Sequence, residues 1–157
     1  QFAKMYMAYG TLSEGRKEMR EGLTAIHSAS RAYGERSRVV HSARQSYTSM
    51  KVSTGPEAET EVEHPVVRTH PETGRKGLFV NRAFTVRFKG WTEAESQPLL
   101  DYLYAHAVRP EFTCRFHWEN GSIAFWDNRC THHFAINDYH GKRRSMHRVT
   151  VCGDRPA

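Results

Sequence analysis

Apolar and polar side chains alternate over several short stretches in the second half of the chain, the pattern of half-buried β-strands. Phe84, Val86 and Phe88 are each separated by one polar residue. Asn120 and Gly121 predict a hairpin turn between two such stretches. The other strand-like stretches are 66–67, 78–80, 112–118, 122–126, 131–137 and 144–152. Short strands separated by turns predict a mostly β protein with flanking helices (α+β), of the sandwich or rolled-barrel class.

Two other parts of the chain have helical spacing. Residues 1–28 are predicted to be helical in two pieces, with Ser13 as the N-cap of the second. A further helix is predicted to be capped by Ser96, because a helix that began at Thr92 would contain Pro98 in its interior. The residues predicted to form the buried face of this helix are Leu99, Leu100, Leu103 and Tyr104.

Residues 30–63 contain few large aliphatic side chains and show little periodicity. A connection of this length inside a domain is typical of an active-site lid or a flexible insertion. A solvated insertion without a role explains the composition equally well.

Composition narrows the classes of protein. A chain of 157 residues is long enough for a single domain with a real core. No apolar run approaches the roughly 20 residues of a membrane span. The three cysteines are widely spaced, which favours a reducing compartment such as the cytoplasm over a disulfide framework. The net charge of +6 is spread along the chain, which weakens the case for a nucleic-acid surface, and a basic cavity for small anions explains part of the excess equally well.

Candidate chemistry lies near the C-terminus. On a strand, Arg144 and Arg148 would share one face, where two guanidinium groups would suit two small carboxylates or sulfonates. The alternative is that both lie on an exposed edge strand. Of the adjacent residues His132 and His133, only one can face an interior metal. A site with two histidines and one carboxylate would suit iron(II), but the chain contains no His-x-Asp pair.

Several motifs together resemble the taurine dioxygenase branch of the 2-oxoglutarate oxygenases. They are HPVVRTHP at 64–71, LFVN at 78–81, WDNR at 126–129 and RR-x-MHR at 143–148. The resemblance implies a double-stranded β-helix (jelly roll) that is incomplete at its N-terminus. Residues 1–157 would then be the C-terminal part of one oxygenase domain, with 30–63 as a lid or insertion.

The resemblance also implies roles for individual residues. His133 matches an iron-binding histidine, and His132 receives no metal role. Arg144 matches the arginine that pairs with 2-oxoglutarate, and Arg148 matches the arginine that receives the substrate's sulfonate. Phe84, and less directly Tyr33, match aromatic residues that line the substrate pocket.

The implied enzyme is an Fe(II)/2-oxoglutarate-dependent dioxygenase that hydroxylates a small sulfonate such as taurine and releases sulfite, an aldehyde, succinate and CO2. Its partners would be the anionic substrate and molecular oxygen, with no nucleic acid and no membrane, and a homo-oligomer is expected. The family's His-x-Asp pair would lie upstream of Gln1, so the chain alone is expected to be inactive. The alternatives are a related oxygenase for alkyl sulfates or aryloxy carboxylates, a metal-free scaffold, and a basic β-domain that binds nucleic acid.

Overall fold

The computed structural model describes residues 1–34, 55–136 and 138–153. These residues form short antiparallel strands, helices and two 3-10 turns at Pro56–Glu59 and Pro110–Phe112. The strands are β1 Phe2–Lys4, β2 Thr24–Ser28, β3 Glu61–Pro65, β4 Val67–Thr69, β5 Lys76–Leu78, β6 Thr85–Phe88, β7 Thr113–Cys114 and β8 Thr131–His133. The helices are α1 Met5–Gly10, α2 Glu14–Glu18, α3 Ser30–Tyr33 and α4 Glu93–Ala107.

The strands pair in three small sheets. Their orders are β7-β1-β8, β3-β2-β6 and β4-β5, and every pair is antiparallel. In the first sheet Phe2 lies opposite both Cys114 and His133. The N-terminal residues therefore hold the strand that carries the two adjacent histidines.

Helix α4 covers the core that fixes these sheets to one another. Leu100 and Leu103 are fully buried against Phe88 of β6 and Met5 of α1. Leu99 is partly buried and Tyr104 is buried, so the predicted buried face of this helix is confirmed. Burial of side chains of this size contributes about 1.5–3 kcal/mol each, which makes this cluster the main support of the fold.

The predicted start of α4 at Ser96 is wrong. Thr92 caps the helix in a reciprocal capping box with Glu95, and Pro98 lies inside the helix. The cap satisfies backbone N–H groups that would otherwise lack partners, which offsets the hydrogen bond that Pro98 cannot donate. Ser96 instead accepts a hydrogen bond from the Phe88 backbone N–H, joining the helix to β6.

The prediction for residues 1–28 is confirmed only in part. Helices α1 and α2 are present and Ser13 occupies the N-cap, but α2 ends at Glu18 and residues 24–28 form strand β2. Gly22 has a φ of 83°, a left-handed conformation that ends the helical path. Pairing on both sides, with β3 and β6, then fixes residues 24–28 as a strand.

The segment 30–63, which shows little periodicity in sequence, contains regular structure at both ends. Residues 30–33 form α3, and the segment from Pro56 contains a 3-10 turn followed by the start of β3. The Ser28 hydroxyl donates to the Ala58 carbonyl and anchors this turn on β2. A role for 35–54 as a lid falls outside the described residues.

The predicted C-terminal strands are shorter than expected or absent among the described residues. In 112–118 only β7 is a strand, in 131–137 only β8, and 122–126 and 144–152 have none, although Gly121 makes the expected turn. An extended segment forms a strand only where a second strand pairs with its backbone. The described residues offer these segments no such partner, and Phe125 and Val149 remain 94% and 92% exposed.

The described residues thus form small antiparallel sheets with flanking helices, as the patterning predicts at the level of class. They do not by themselves display a closed jelly roll. None of their helices combines the length and the apolar character needed to cross a membrane. Cys114, Cys130 and Cys152 are free thiols.

Candidate functional site

His133 lies at the end of β8 with its imidazole against an indole. The rings of His133 and Trp126 are 5.0 Å apart, and Trp126 in turn lies 5.0 Å from Phe2 of β1. Partial burial lowers the pKa of His133, and the positive charge of Arg148 lowers it further. A lowered pKa favours the neutral imidazole, which is the form that binds metals.

His132 points to the opposite side of the strand. Burial lowers the pKa of His132 to about 4, and the neighbouring His133 adds to this shift. Burial also lowers the pKa of His27 in β2 to about 4, with contributions from His64 and His132. His132 therefore lies on the side of β8 that faces the core histidine His27.

Arg144 and Arg148 do not enter a closed cavity. Both are exposed, and the guanidinium of Arg144 lies 5.4 Å from the ring centre of Tyr139. The predicted strand that would give both arginines a common face is absent among the described residues, because no described strand covers 141–153. Arg148 is nevertheless close enough for its charge to act on the imidazole of His133.

The two predicted pocket aromatics lie together. The rings of Tyr33 and Phe84 are 6.3 Å apart and both are partly exposed. Asn81 holds Phe84 in place, because its side-chain oxygen accepts from the Phe84 backbone N–H at 2.9 Å. Next to Phe84 in the sequence, the Thr85 hydroxyl lies 3.3 Å from the His27 ring of β2.

One polar cluster was missed by the sequence reasoning. The His70 imidazole is 3.0 Å from the Asp127 carboxylate, and Arg129 binds that carboxylate through its Nε and Nη2 atoms. Arg129 lowers the pKa of Asp127 well below its usual range, and Asp127 in turn raises the pKa of Arg129. Both segments, 64–71 and 126–129, stood out as motifs, but nothing in the pattern indicated that they touch.

The ligand atoms of His70, Asp127 and Cys130 lie within 4.8 Å of one another, close enough for a metal ion. The chemistry of the cluster does not suit one. Arg129 already neutralises the carboxylate, and both nitrogens of His70 are engaged in hydrogen bonds. Among the described residues no comparable group includes His133. This part of the chain therefore fits iron only as one imidazole of a larger ligand set.

Comparison with known proteins identifies the family. The family model described as "Taurine catabolism dioxygenase TauD, TfdA family" matches residues 1–150. The chain belongs to this family. Its similarity to the taurine dioxygenase branch, indicated by the four motifs, is thereby confirmed.

Two curated relatives show how similar the chain is to named proteins and how much of their length it covers. The chain is 38% identical over 154 residues to an alkylsulfatase of Acinetobacter baylyi, covering 98% of this chain and 47% of the relative. It is 39% identical over 155 residues to an alpha-ketoglutarate-dependent sulfate ester dioxygenase of Pseudomonas putida, covering 99% and 50%. The chain thus spans about half the length of the curated relatives it matches.

Solved structures give the same family. A taurine dioxygenase from Burkholderia xenovorans is 38% identical with a TM-score of 0.63, over 83% of this chain and 37% of that one. A second structure, AAD-2 in complex with Mn(II) and N-oxalylglycine, is 28% identical with a TM-score of 0.61, over 83% and 47%.

Proposed function

We propose that this chain supplies the iron-binding His133 and the anion-binding arginines of an Fe(II)/2-oxoglutarate-dependent dioxygenase that acts on small sulfonates such as taurine. The observation that carries the proposal is the family match over 1–150, a range that includes His133, Arg144 and Arg148. The influence of Arg148 on the pKa of His133 supports a shared site for these side chains.

Each residue has a task that its chemistry suits. His133 would bind iron through a neutral ring nitrogen, with Trp126 limiting the ring's movement. Arg144 would pair with the distal carboxylate of 2-oxoglutarate, and Arg148 would grip the substrate's sulfonate. A guanidinium binds both kinds of anion through two parallel hydrogen bonds, so it fixes orientation as well as position.

The metal needs more than these residues provide. Among the described residues His133 is not accompanied by a carboxylate and a second histidine in a group of three. We propose that the other ligands come from polypeptide outside the 157 residues, since relatives of this family are about twice as long. When bound, iron together with 2-oxoglutarate would supply the oxidation of an unactivated C–H bond.

The exposed face of the C-terminal segments fits the same proposal. In a complete double-stranded β-helix, further strands would pair with residues 115–126 and 141–153 and cover Ile123, Phe125 and Val149. Arg144 and Arg148 would then face a cavity instead of solvent, and Tyr33 and Phe84 would line its substrate side.

The test uses the longer protein, meaning a polypeptide that includes this chain and the remaining iron ligands. With Fe(II), 2-oxoglutarate, oxygen and taurine, we expect succinate and sulfite to form in equal amounts. The 157-residue chain under the same conditions should form neither above background. No consumption of 2-oxoglutarate by the longer protein with any small sulfur oxyanion or carboxylate would refute the proposal.

A second candidate substrate class is the alkyl sulfates, favoured by the 38% and 39% identity to the alkylsulfatase and the sulfate ester dioxygenase. Arg148 suits a sulfate ester as well as a sulfonate. The two classes give different products, because oxidation beside a sulfonate releases sulfite whereas oxidation beside a sulfate ester releases sulfate. Parallel assays of both ions with matched alkyl chains separate the two candidates.

A further inference from the structure

The His70 side chain is held at both ring nitrogens, and this fixes which nitrogen carries the hydrogen. Nδ1 accepts from the backbone N–H groups of Glu72 and Thr73 at 3.2 and 3.3 Å. A nitrogen that accepts cannot also carry a hydrogen, so the hydrogen is on Nε2. Nε2 therefore donates to the Asp127 carboxylate at 3.0 Å, and the buried ring joins two segments that are far apart in the sequence.

Asp127 also binds the backbone and the side chain of Arg129, two residues further along its own segment. It accepts from the backbone N–H of Arg129 at 2.8 Å and from the guanidinium of the same residue. The guanidinium also binds the Glu72 carboxylate at 2.9 Å. Glu72 lies in the turn whose backbone N–H groups donate to His70. Hydrogen bonds that include a charged partner are about twice as strong as neutral ones. The side chains of His70, Glu72, Asp127 and Arg129 therefore form a closed, stable group of contacts, called the clamp below.

The clamp ends beside the imidazole of His133. Trp126 directly precedes Asp127, and its ring packs against His133 while its indole N–H donates to Asn128 at 2.9 Å. On the other side of the clamp, the Cys130 carbonyl accepts from the Met5 backbone N–H where β8 begins. The segment from Trp126 to Cys130 thus leads directly into β8 and carries the aromatic ring that packs against His133.

We propose that His70 is a positioning residue for His133, acting through Asp127 and Trp126. The neutral Nε2–H form of His70 holds Asp127, Asp127 and Arg129 fix the backbone of 126–130, and Trp126 sets the orientation of the imidazole. That His133 binds a metal rests on the function proposed above, whereas the clamp rests on the contacts of this chain alone. Partners of this kind determine how a metal-binding imidazole is presented.

Two variants separate the contribution of the Nδ1 hydrogen bonds of His70 from that of its Nε2 hydrogen bond. His70→Asn keeps an acceptor near Nδ1 for the turn but is too short to reach Asp127. His70→Gln extends an amide N–H to about the position of Nε2 and restores that bond. The measurement is NMR of the metal-free 157-residue chain, with the His133 ring resonances as the reporter, because the Trp126 ring shifts them.

We expect His70→Asn to move the His133 ring resonances toward those of an unstacked imidazole, and His70→Gln to return them toward the original positions. The amide protons of Met5 and Phe134, which tie β1 to the region of β8, should exchange about tenfold faster in His70→Asn. Resonances of His27 and Thr85 in the β2–β6 sheet should not change. Equal spectra for the unsubstituted chain and His70→Asn would overturn the proposal. Loss of the β2–β6 resonances in His70→Asn would also overturn it, because His70 would then support the whole fold.

Asp127→Asn provides an independent test, because it keeps the shape of the side chain and removes its charge. If His70 acts through Asp127, the double variant His70→Asn/Asp127→Asn should displace His133 no further than either single variant. Additive displacements would refute the proposed route. None of these readouts uses metal, 2-oxoglutarate or turnover, so a protein with an intact clamp and no dioxygenase activity would refute only the function proposed above.

Discussion

At His133, the orientation and the protonation of one imidazole have separate physical origins. The ring of Trp126 restrains its orientation, while burial and the charge of Arg148 lower its pKa. In the function proposed above, Arg148 would therefore have two effects: its charge adds to burial in disfavouring protonation of His133, and it would attract the anionic end of the substrate. Both effects depend on its charge, and only the second depends on the shape of its guanidinium.

Arg148→Ala in the longer protein should raise the KM for taurine by roughly ten- to a hundredfold, since a hydrogen bond to a charged group contributes about 1.5–3 kcal/mol. The turnover number should change less, because the reacting C–H bond and the metal are untouched. Steady-state kinetics check this. Arg143→Ala is the matched control, an exposed arginine in the same run that should leave the KM unchanged. An unchanged KM in Arg148→Ala would remove the assignment.

His27 makes stability dependent on pH. Its pKa is lowered from 6.5 to about 4 in the folded chain, chiefly by burial. The unfolded chain therefore binds the proton more readily, and the contribution to stability is complete above pH 6.5 and is lost as the pH falls toward 4. The loss from this residue should be on the order of 3 kcal/mol.

Urea denaturation between pH 7.5 and pH 4.5 measures this loss. His27→Gln, which retains a partner for the Thr85 hydroxyl, should make the pH dependence less steep, while His132, whose pKa burial also lowers to about 4, keeps its own contribution. His140→Gln, at an exposed position, should leave it as it is. An equally steep dependence in His27→Gln would show that other groups cause it.

At the scale of elements, α4 depends on its first turn. Thr92→Ala should lower the free energy of unfolding by about 1 kcal/mol, because the backbone N–H of Glu95 loses its acceptor. Thr92→Ser keeps the hydroxyl and should stay close to the original stability. The midpoint of urea unfolding, monitored by far-UV circular dichroism, is the measurement. Equal midpoints for the two variants would contradict a stabilising cap.

Element boundaries show what the sequence could predict. The buried face of α4, the strand around Phe88 and the turn at Gly121 follow from spacing and turn chemistry, and the structure has all three. The strand at 24–28 was predicted to be helical because Leu23 and Ile26 continue the apolar spacing of the preceding helix. Its true state depends on β3 and β6, strands that lie more than thirty residues away along the chain.

At the scale of the whole molecule, the candidate site is only partly predictable. His133, Arg144 and Arg148 lie within one short stretch, so their spacing is visible in the sequence. The contact of His70 with Asp127 joins positions 57 residues apart, and no local pattern indicates it. The exposure of both arginines is equally invisible in the sequence, because it reflects the absence of a described strand paired with 141–153, and local spacing does not indicate whether a partner strand is present.

The central claim is that His133 binds the catalytic metal, and its neighbour provides the control. His132 and His133 are the same residue type at adjacent positions, yet they point to opposite sides of β8. Substitution by glutamine at each position removes one imidazole and leaves the other. Comparing the two variants therefore tests which side of β8 the metal-binding imidazole must face.

The deciding measurement is Fe(II)-dependent formation of succinate by the longer protein in its original, His133→Gln and His132→Gln forms. We predict that succinate formation falls to background in His133→Gln and persists in His132→Gln. Persistent succinate formation in His133→Gln would contradict the account.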